Sequence, residues 1–378
     1  MNLDFSEEQN ILKSSARKFL EKECPSALVR ALEENEKGFS LDLWRQMASM
    51  GWLGALFPEE FGGTAGNIID LCLLQEEMGR VLLPSPFIPT VVLAGRAILL
   101  AGNQDQKQEF LTGITRGDLI LTLAMLETGG RSIPSQIRLD AAYEKGGFIL
   151  TGVKTFVPYA HVADYLVCVA RTETGTNDRE GLTLFIVNVK SPGIKIESLK
   201  TITGEKLCQV RFDGVRIPES GLLGELNHGW TILDEVLTVA AIAECGWMMG
   251  SARWVLEKAV EYAKERIQFG VPIGSFQAIQ HKCADMLVDA DSASFITYYA
   301  AWLASENDPA KSLVASEAKA WCGDMNIRVA QEGIQIMGGI GYTLEHDMQL
   351  YYRRARASEA AFGDGHHHRE KAAAWLGL

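Results

Sequence analysis

Apolar residues repeat with a helical period in the first part of the chain, lose that period in the middle, and regain it toward the end. In residues 7–21, 71–83 and 91–101 the large apolar residues recur every three to four positions, which predicts amphipathic helices. The apolar stripe of the first helix consists of Ile11, Leu12, Ala16, Phe19 and Leu20. From about residue 230 onward the pattern is again helical.

The middle of the chain has the pattern of short strands. Residues 119–126, 165–170 and 184–189 are apolar or β-branched runs, separated by turns rich in Gly, Asp, Asn and Pro. No long helical period interrupts them, so we expect a small antiparallel barrel or sandwich. This helix–sheet–helix order differs from the alternating βαβ units of a doubly wound fold, and no G-x-G-x-x-G follows a predicted strand, which disfavours a Rossmann nicotinamide enzyme. We predict an α+β protein with domains at residues 1–117, 118–225 and 226–378.

The charge balance limits the partners of this chain. Its 36 Lys and Arg against 48 Asp and Glu give a formal net charge of −12. A nucleic-acid surface requires a basic face, so we expect no nucleic-acid partner. A few local Lys and Arg residues would still suffice to bind the phosphates of a small molecule.

Cysteine spacing and the apolar segments bear on the compartment. The seven cysteines are scattered without a C-x-x-C pair, which indicates reduced thiols rather than disulfides or a zinc site. The acidic N-terminus lacks the basic start and apolar stretch of a signal peptide. Residues 91–101 form the most apolar stretch, but Arg96 interrupts it and it is too short to cross a bilayer. We expect a cytoplasmic protein with no membrane partner.

Two short motifs could hold a dinucleotide phosphate. Residues 255–265 read as a helix that Gly270 and Pro272 end, which would put Arg266, Gln268 and Phe269 on its last turn. An Arg there suits a pyrophosphate, because its charge is permanent and its donors match phosphate oxygens. The Gly-Gly-x-Gly of residues 338–341 offers a backbone that a phosphate can approach closely. Taken alone, an Arg on a last helical turn is usually a capping charge, and Gly-Gly-x-Gly is usually an interhelical turn.

The order and spacing of several segments resemble those of the acyl-CoA dehydrogenases. The flavin-binding segments of that family are similar to residues 266–270, 276–277 and 335–343. Further resemblances, in the family's order, cover residues 57–63, 127–129, 152–154, 212–218 and 223–225. The resemblance therefore extends over nearly the whole chain. It implies N-terminal helices, a central β-domain, and a C-terminal four-helix bundle that mediates tetramer formation.

The resemblance also implies FAD as the cofactor. In the family, the residues equivalent to Arg266, Gln268 and Phe269 contact FAD, partly across a subunit interface. The other residues in matching flavin-binding positions are Gln277, Gln335, Gly338, Gly339 and Phe156, the last on the flavin-facing strand, together with His366 and His368 near the flavin diphosphate. A metal site is not expected, because the three consecutive histidines 366–368 point about 100° apart on a helix and cannot converge on one ion.

The activity that the resemblance implies is α,β-dehydrogenation of an acyl-CoA, with electrons passed to an electron-transfer flavoprotein. A partly desolvated carboxylate should remove the α-proton. The family's C-terminal Glu aligns without a gap on Phe362, which can do no proton chemistry, whereas one inserted residue places Asp364 there. A second family arrangement uses the first helix of the C-terminal domain, where Glu244 lies one turn beyond the inert Ala240 and Ala241. We favour Asp364 on sequence, with Glu244 or a partner chain as alternatives.

Two further departures affect the flavin site. Pro158 and Leu126 replace hydroxyl residues of the family pattern, and proline brings neither a hydroxyl nor an N–H. Some branches of the family form mixed tetramers, in which a partner subunit could supply the missing groups. The open alternatives are a non-catalytic or half-site subunit of a heteromeric dehydrogenase, and an acyl-CoA oxidase or flavin monooxygenase on the same scaffold. The altered base region suggests a bulky, cyclic, branched or dicarboxylic acyl group, with an ordinary straight-chain acyl group as the alternative.

Overall fold

The computed structural model describes residues 4–130, 133–173 and 177–378. Its contacts group the chain into two compact units, each built from separate stretches. The helical unit comprises Met1–Arg30, Asn67–Leu83 and Ala241–Leu378, and the sheet unit comprises Ala31–Gly66 and Pro84–Ala240. The division at residues 117 and 225 that the sequence pattern suggests stays a prediction.

Helices precede and follow the strands, as the sequence pattern predicts. The helices are α1 (Glu7–Glu23), α2 (Ser26–Glu34), α3 (Leu41–Ser49), α4 (Ile68–Arg80), α5 (Arg96–Ala101), α6 (Gln104–Thr115), α7 (Gly229–Glu265), α8 (Gln277–Ser305), α9 (Lys311–Met337), α10 (Met348–Ala360) and α11 (Gly365–Trp375). The strands are β1 (Leu121–Ala124), β2 (Asp140–Glu144), β3 (Gly147–Pro158), β4 (Tyr165–Arg171), β5 (Leu182–Asn188), β6 (Ile194–Leu199), β7 (Leu207–Pro218), β8 (Leu222–Leu223), β9 (Ile267–Gln268) and β10 (Val271–Pro272).

The sheet is mixed rather than purely antiparallel. Its strand order is β6-β7-β3-β2-β4-β5-β8, and β1 pairs with β4 outside this path. The pairs β1–β4 and β2–β4 are parallel, and the other pairs are antiparallel. The prediction of an antiparallel sheet was therefore wrong for these two pairs. Alternation of apolar and polar residues identifies a strand, but it carries no information about the direction of its neighbour.

The first apolar segment of the sheet unit is not a plain α-helix. Ile88–Gly95 forms a π-helix that continues directly into α5, whereas the sequence pattern predicted one regular helix over residues 91–101. The Thr90 hydroxyl donates a hydrogen bond to the Leu121 carbonyl at 2.8 Å, which ties this segment to β1. The wider helical turn thus follows a tertiary contact that hydrophobic periodicity does not encode.

In the helical unit, charged and polar pairs set the register between α8 and α9. The Arg328 guanidinium donates to both carboxylate oxygens of Asp289, at 2.9 and 3.1 Å, and Lys282 pairs with Glu332. Because α8 and α9 run in opposite directions, these pairs bring the start of α8 and the end of α9 to the same end of the bundle. Among the helices in the described residues, none combines the length and apolar composition that a membrane span requires.

Candidate functional site

The segment after α7 is a β-hairpin and not a last helical turn. The helix ends at Glu265, and β9 pairs with β10 across a two-residue turn made by Phe269 and Gly270. Both turn residues have left-handed backbones, with φ of 55° and 81°, which is the geometry of the tight turns that match the twist of a hairpin. The predicted helical placement of Arg266, Gln268 and Phe269 was therefore wrong. The Gly that would end a helix here serves the hairpin turn instead.

The hairpin presents its side chains to solvent. Phe269 is 93% exposed, and its ring meets that of Phe276 edge-on at 6.1 Å between centroids. Arg266 is also exposed, and its guanidinium has no hydrogen-bond partner within the parts of the chain that the structure describes. A cation and an aromatic ring are thus available together to a ligand or another chain.

The end of α9 provides an open glycine backbone. Gly338 has φ 66° and ψ −146°, and it opens a 3₁₀ turn over Gly338–Tyr342. A Cβ placed at Gly338 or Gly339 would meet no atom within 4 Å, so a ligand can reach this backbone unhindered. Gln277 and Gln335 are exposed at the same end of the α8–α9 pair, as the register of the helices requires. We call this set, from Arg266 to Gly339, the hairpin end of the bundle.

Asp364 begins the last helix. It is the N-cap of α11, and its Oδ1 accepts a hydrogen bond from the His367 backbone N–H at 2.7 Å. That hydrogen bond, reinforced by the nearby histidines and Lys319, holds the pKa of Asp364 below its ordinary value. A general base that works near neutral pH requires a shift in the opposite direction.

The two predicted flavin-contacting histidines differ sharply in environment. His366 is exposed and lies 3.3 Å from Glu370, whereas His368 is buried and its Nε2–H donates to the Phe362 carbonyl at 3.1 Å. Burial, together with the nearby charge of Lys319, lowers the pKa of His368 to about 3. His368 is therefore neutral at physiological pH and offers no positive charge to a phosphate.

Glu244 is a buried carboxylate on α7. It is 7% exposed, and its chain neighbours Ala243 and Cys245 are fully buried. The Cys245 thiol donates a hydrogen bond to Cys322 on α9; burial and this hydrogen bond raise the pKa of Cys245. Cys245, which follows Glu244 in α7, therefore contacts Cys322, and Cys322 lies three residues from Lys319 on α9.

The helical unit thus contains two separate groups of candidate residues. Lys319, at the height of the residues 361–364 turn, and Gln335, at the hairpin end, are 16 residues apart on α9, or about 24 Å at the helical rise per residue. The structure brings Arg266, Phe269, Gln277, Gln335 and Gly338 together at one end. It places Asp364 and His368 near Lys319, at the residues 361–364 turn.

The sheet unit carries a buried ion pair next to the predicted flavin-facing residue. Lys154 is fully buried, and its Nζ donates to Glu127 Oε1 at 2.7 Å and to the Met125 carbonyl at 3.0 Å. Glu127 also accepts from the backbone N–H of Arg138 and Leu139. Burial lowers the pKa of Lys154. The sequence pointed to these segments only as resemblances and missed the pairing.

Phe156 follows two residues after that lysine at a β-bulge. The pairing of β3 with β7 shifts register between Lys154 and Val157, and Phe156 has a left-handed backbone with φ 53°. A non-glycine residue in this region is uncommon and marks a locally strained backbone. The bulge leaves the Phe156 ring half exposed beside Gly130. Next to it, an open cleft of about 330 Å³ is lined by Glu127, Thr128, Gln136, Arg138, Leu139, Gly152 and Val153.

Comparison with known proteins covers nearly the whole chain. The acyl-CoA dehydrogenase N-terminal domain matches residues 6–118, the middle domain residues 122–215, and the C-terminal domain residues 227–377. A subunit of the caffeyl-CoA reductase–Etf complex of Acetobacterium woodii, CarC, is 31% identical over 357 residues, 93% of each chain.

Solved structures share the fold along the full length. Butyryl-CoA dehydrogenase of Megasphaera elsdenii has a TM-score of 0.92 at 27% identity and covers 100% of both chains. The ChsE4–ChsE5 complex of Mycobacterium tuberculosis has a TM-score of 0.90 at 26% identity, covering 100% of this chain and 99% of that one. The resemblance predicted from the sequence is confirmed, and this chain belongs to the acyl-CoA dehydrogenase family of flavoprotein oxidoreductases.

Proposed function

We propose that this chain binds FAD and catalyses α,β-dehydrogenation of an acyl-CoA thioester, passing the electrons to an electron-transfer flavoprotein. The observation that carries the proposal is the hairpin end, where an exposed Arg266, an exposed aromatic ring and an unobstructed glycine backbone lie at the same end of the bundle. Dinucleotide phosphates are bound by such a combination of a permanent cation and open N–H groups. The relative from Acetobacterium woodii is named as part of a complex with an Etf, which supports the proposal that an electron-transfer flavoprotein is the electron acceptor.

The residues present fit the cofactor. Arg266 would pair with the FAD diphosphate, Gln268, Gln277 and Gln335 would hydrogen-bond to it, and Gly338 and Gly339 would let it approach the backbone. When bound, FAD accepts the β-hydrogen of the substrate as hydride. The predicted roles of Phe156 and the two histidines stay proposals of the same kind, with His366 the better placed for phosphate because it is exposed.

We further propose that the chain works as part of a tetramer. The separation of about 24 Å along α9 suits a chain that serves its own flavin with one group and a partner's flavin with the other. Exposed apolar side chains on α8 offer a surface for a partner, because large apolar residues are seldom left in contact with water along one helix face. They are Leu287, Val288, Phe295 and Tyr299. The partner can be a second copy or a related subunit, as the name of the ChsE4–ChsE5 complex illustrates for that protein.

For the base, the geometry favours Glu244 over Asp364. Asp364 is exposed, already accepts a backbone hydrogen bond, and has a lowered pKa. Glu244 is buried in an apolar stretch of α7, where a carboxylate is partly desolvated. We therefore propose Glu244 as the base and a capping role for Asp364. The alternative is that this chain is a half-site subunit, in which case a partner subunit supplies the base.

The activity is tested by anaerobic flavin reduction with a panel of acyl-CoAs. The purified protein should be yellow, and its flavin band should bleach with at least one thioester, with bulky, aromatic and dicarboxylic acyl groups in the panel beside butyryl-CoA. The panel is run with and without a co-expressed related subunit. Bleaching only with the partner would identify a half-site subunit. Absence of bleaching in both formats would contradict the dehydrogenase proposal, and fast reoxidation by oxygen would identify an oxidase.

Flavin binding is tested separately at the hairpin end. Arg266→Gln should weaken FAD binding at least about 10-fold, because charge-assisted hydrogen bonds to a phosphate are lost. Lys264→Gln, which removes an exposed charge from the last turn of α7, is the matched control and should leave affinity within about 2-fold. Titration of the apoprotein with FAD by fluorescence measures both. Equal affinities of the two variants would remove Arg266 from the site.

A further inference from the structure

A buried lysine in the middle of α9 has no role in the functions argued so far. Lys319 has no exposed surface, and its Nζ donates to the Glu359 carbonyl at 2.9 Å and to the Gly363 carbonyl at 3.0 Å. Within the described ranges, no carboxylate pairs with it. A charge that is removed from water and met only by carbonyls is unfavourable unless those carbonyls need a donor.

The carbonyls of Glu359 and Gly363 both need a hydrogen-bond donor. Glu359 lies in the last turn of α10, where carbonyls lack intrahelical partners and the helix dipole favours a cation. Gly363 belongs to the turn of residues 361–364, which joins α10 to α11. One ammonium group thus ties the end of a helix to the turn that follows it.

The tied turn has an unusual backbone. Phe362 and Gly363 are consecutive left-handed residues, with φ of 58° and 106°. An aromatic residue adopts this conformation only when its surroundings hold it there. His368 supplies the second restraint, since its Nε2–H donates to the Phe362 carbonyl. The charge of Lys319 contributes to the lowered pKa of His368, which keeps the imidazole in its neutral form.

We infer that Lys319 and His368 form a clasp that holds the residues 361–364 turn in place, so that both act as positioning residues for the acyl-CoA reaction. The turn is relevant to that reaction because it contains Phe362 and Asp364, the two positions on which the C-terminal base of the family falls, without a gap and with one inserted residue. The inference rests on the proposed function in one respect only, the reaction that the turn serves. The hydrogen bonds of the clasp can be tested in the absence of substrate.

The test uses Lys319→Met, which keeps the unbranched side chain apart from its terminal Nζ and so removes its donors. Hydrogen exchange measured by mass spectrometry should show peptides that cover residues 361–368 exchanging at least about 10-fold faster, with the α8 segment around Lys282 unchanged. The control Lys258→Met makes the same change at an exposed lysine of α7 and should leave both segments unchanged. Uniformly faster exchange through the bundle, or an unchanged turn, would overturn the clasp.

A second pair of variants tests the clasp if Lys319→Met does not fold. His368→Leu removes the donor to Phe362, whereas His368→Gln keeps an N–H that can take its place. We expect faster exchange of residues 361–368 in His368→Leu and at least partial recovery in His368→Gln. Equal exchange in the two variants would contradict the role of His368.

The functional part is read from flavin reduction. In Lys319→Met the limiting rate of flavin reduction should fall at least about 10-fold while the substrate concentration at half-saturation changes less than about 3-fold, because the turn is displaced but the binding surface is retained. If residues 361–368 exchanged faster in Lys319→Met but the rate of flavin reduction were unchanged, the clasp would have no part in catalysis and the positioning role would be overturned. If wild-type flavin is not reduced by any thioester, the proposed function fails, and the exchange data still decide the clasp.

Discussion

Replacing Glu244 with glutamine is expected to slow flavin reduction by the acyl-CoA at least ~10²-fold, which is the loss typical of a missing general base. Glutamine has nearly the same shape, so the fold and flavin binding should be retained, but it cannot accept the α-proton. Glu244 suits the role because it is buried on α7 among fully buried neighbours. Stopped-flow measurement of flavin bleaching under anaerobic conditions provides the rate.

Asp364→Asn is the matched variant for the alternative base. Asparagine is as good an N-cap as aspartate, so the hydrogen bond from the His367 N–H is retained and stability should change little. If Asp364 only caps α11, its variant should reduce flavin within a few-fold of the wild-type rate. If flavin reduction were slow in Asp364→Asn and fast in Glu244→Gln, Asp364 and not Glu244 would be the base. Near-normal rates in both would leave a partner chain as the source of the base.

Arg17→Met is expected to lower the free energy of unfolding by about 3 kcal/mol at pH 8. Arg17 on α1 donates two hydrogen bonds, at 2.8 and 2.9 Å, to the carboxylate of Glu77 on α4, whose side chain is only 1% exposed. Removal of Arg17 takes both hydrogen bonds from a buried carboxylate and leaves it only the longer ion pair with Arg80 at 4.0 Å; breaking a buried pair costs about 3–5 kcal/mol. The Arg17 side chain is 38% exposed, so screening by water places the expected loss at the lower end.

The loss should depend on pH with a definite sign. Burial raises the pKa of Glu77, and the hydrogen bonds from Arg17 oppose that shift. Without Arg17 the pKa in the folded state rises further, so the folded state binds more protons than the unfolded state above the ordinary pKa of a glutamate. Stability then falls as pH rises through this window, and the effect of Arg17→Met is smaller at pH 5 than at pH 8.

Chemical denaturation at the two pH values measures this prediction. Lys22→Met is the matched control, because Lys22 forms an exposed ion pair with Glu23 on the same helix and its replacement should leave stability essentially unchanged. If Arg17→Met lost more stability at pH 5 than at pH 8, the burial of an ionised Glu77 could not be the cause of the loss. The pair matters for the helical unit because it joins α1 to α4.

The local pattern of residues predicted much of this protein. Apolar periodicity identified the helix–sheet–helix order, and the arrangement of short motifs identified the family. Both are properties of neighbouring residues, because helix period, strand alternation and turn-forming glycines depend on positions a few residues apart. The same local rules failed at Arg266–Phe269. Gly270 is compatible with both a helix end and a hairpin turn, and in the structure it lies in a hairpin turn.

Long-range contacts decided the remainder. The direction of β1 and β2 relative to β4 depends on a partner strand more than 25 residues away. Lys319 donates to carbonyls 40 and 44 residues away in α10 and the turn, and the neutral state of His368 depends first on its burial and then on the charge of that lysine. Asp364 could be read as a base or as a turn residue until its bond to the His367 N–H showed a cap. The sequence by itself determined the family, the class of elements and the residues available for chemistry, because these are encoded locally. Only the tertiary structure decided which of those residues are buried, paired and charged, because desolvation and hydrogen bonding depend on segments that the chain brings together on folding.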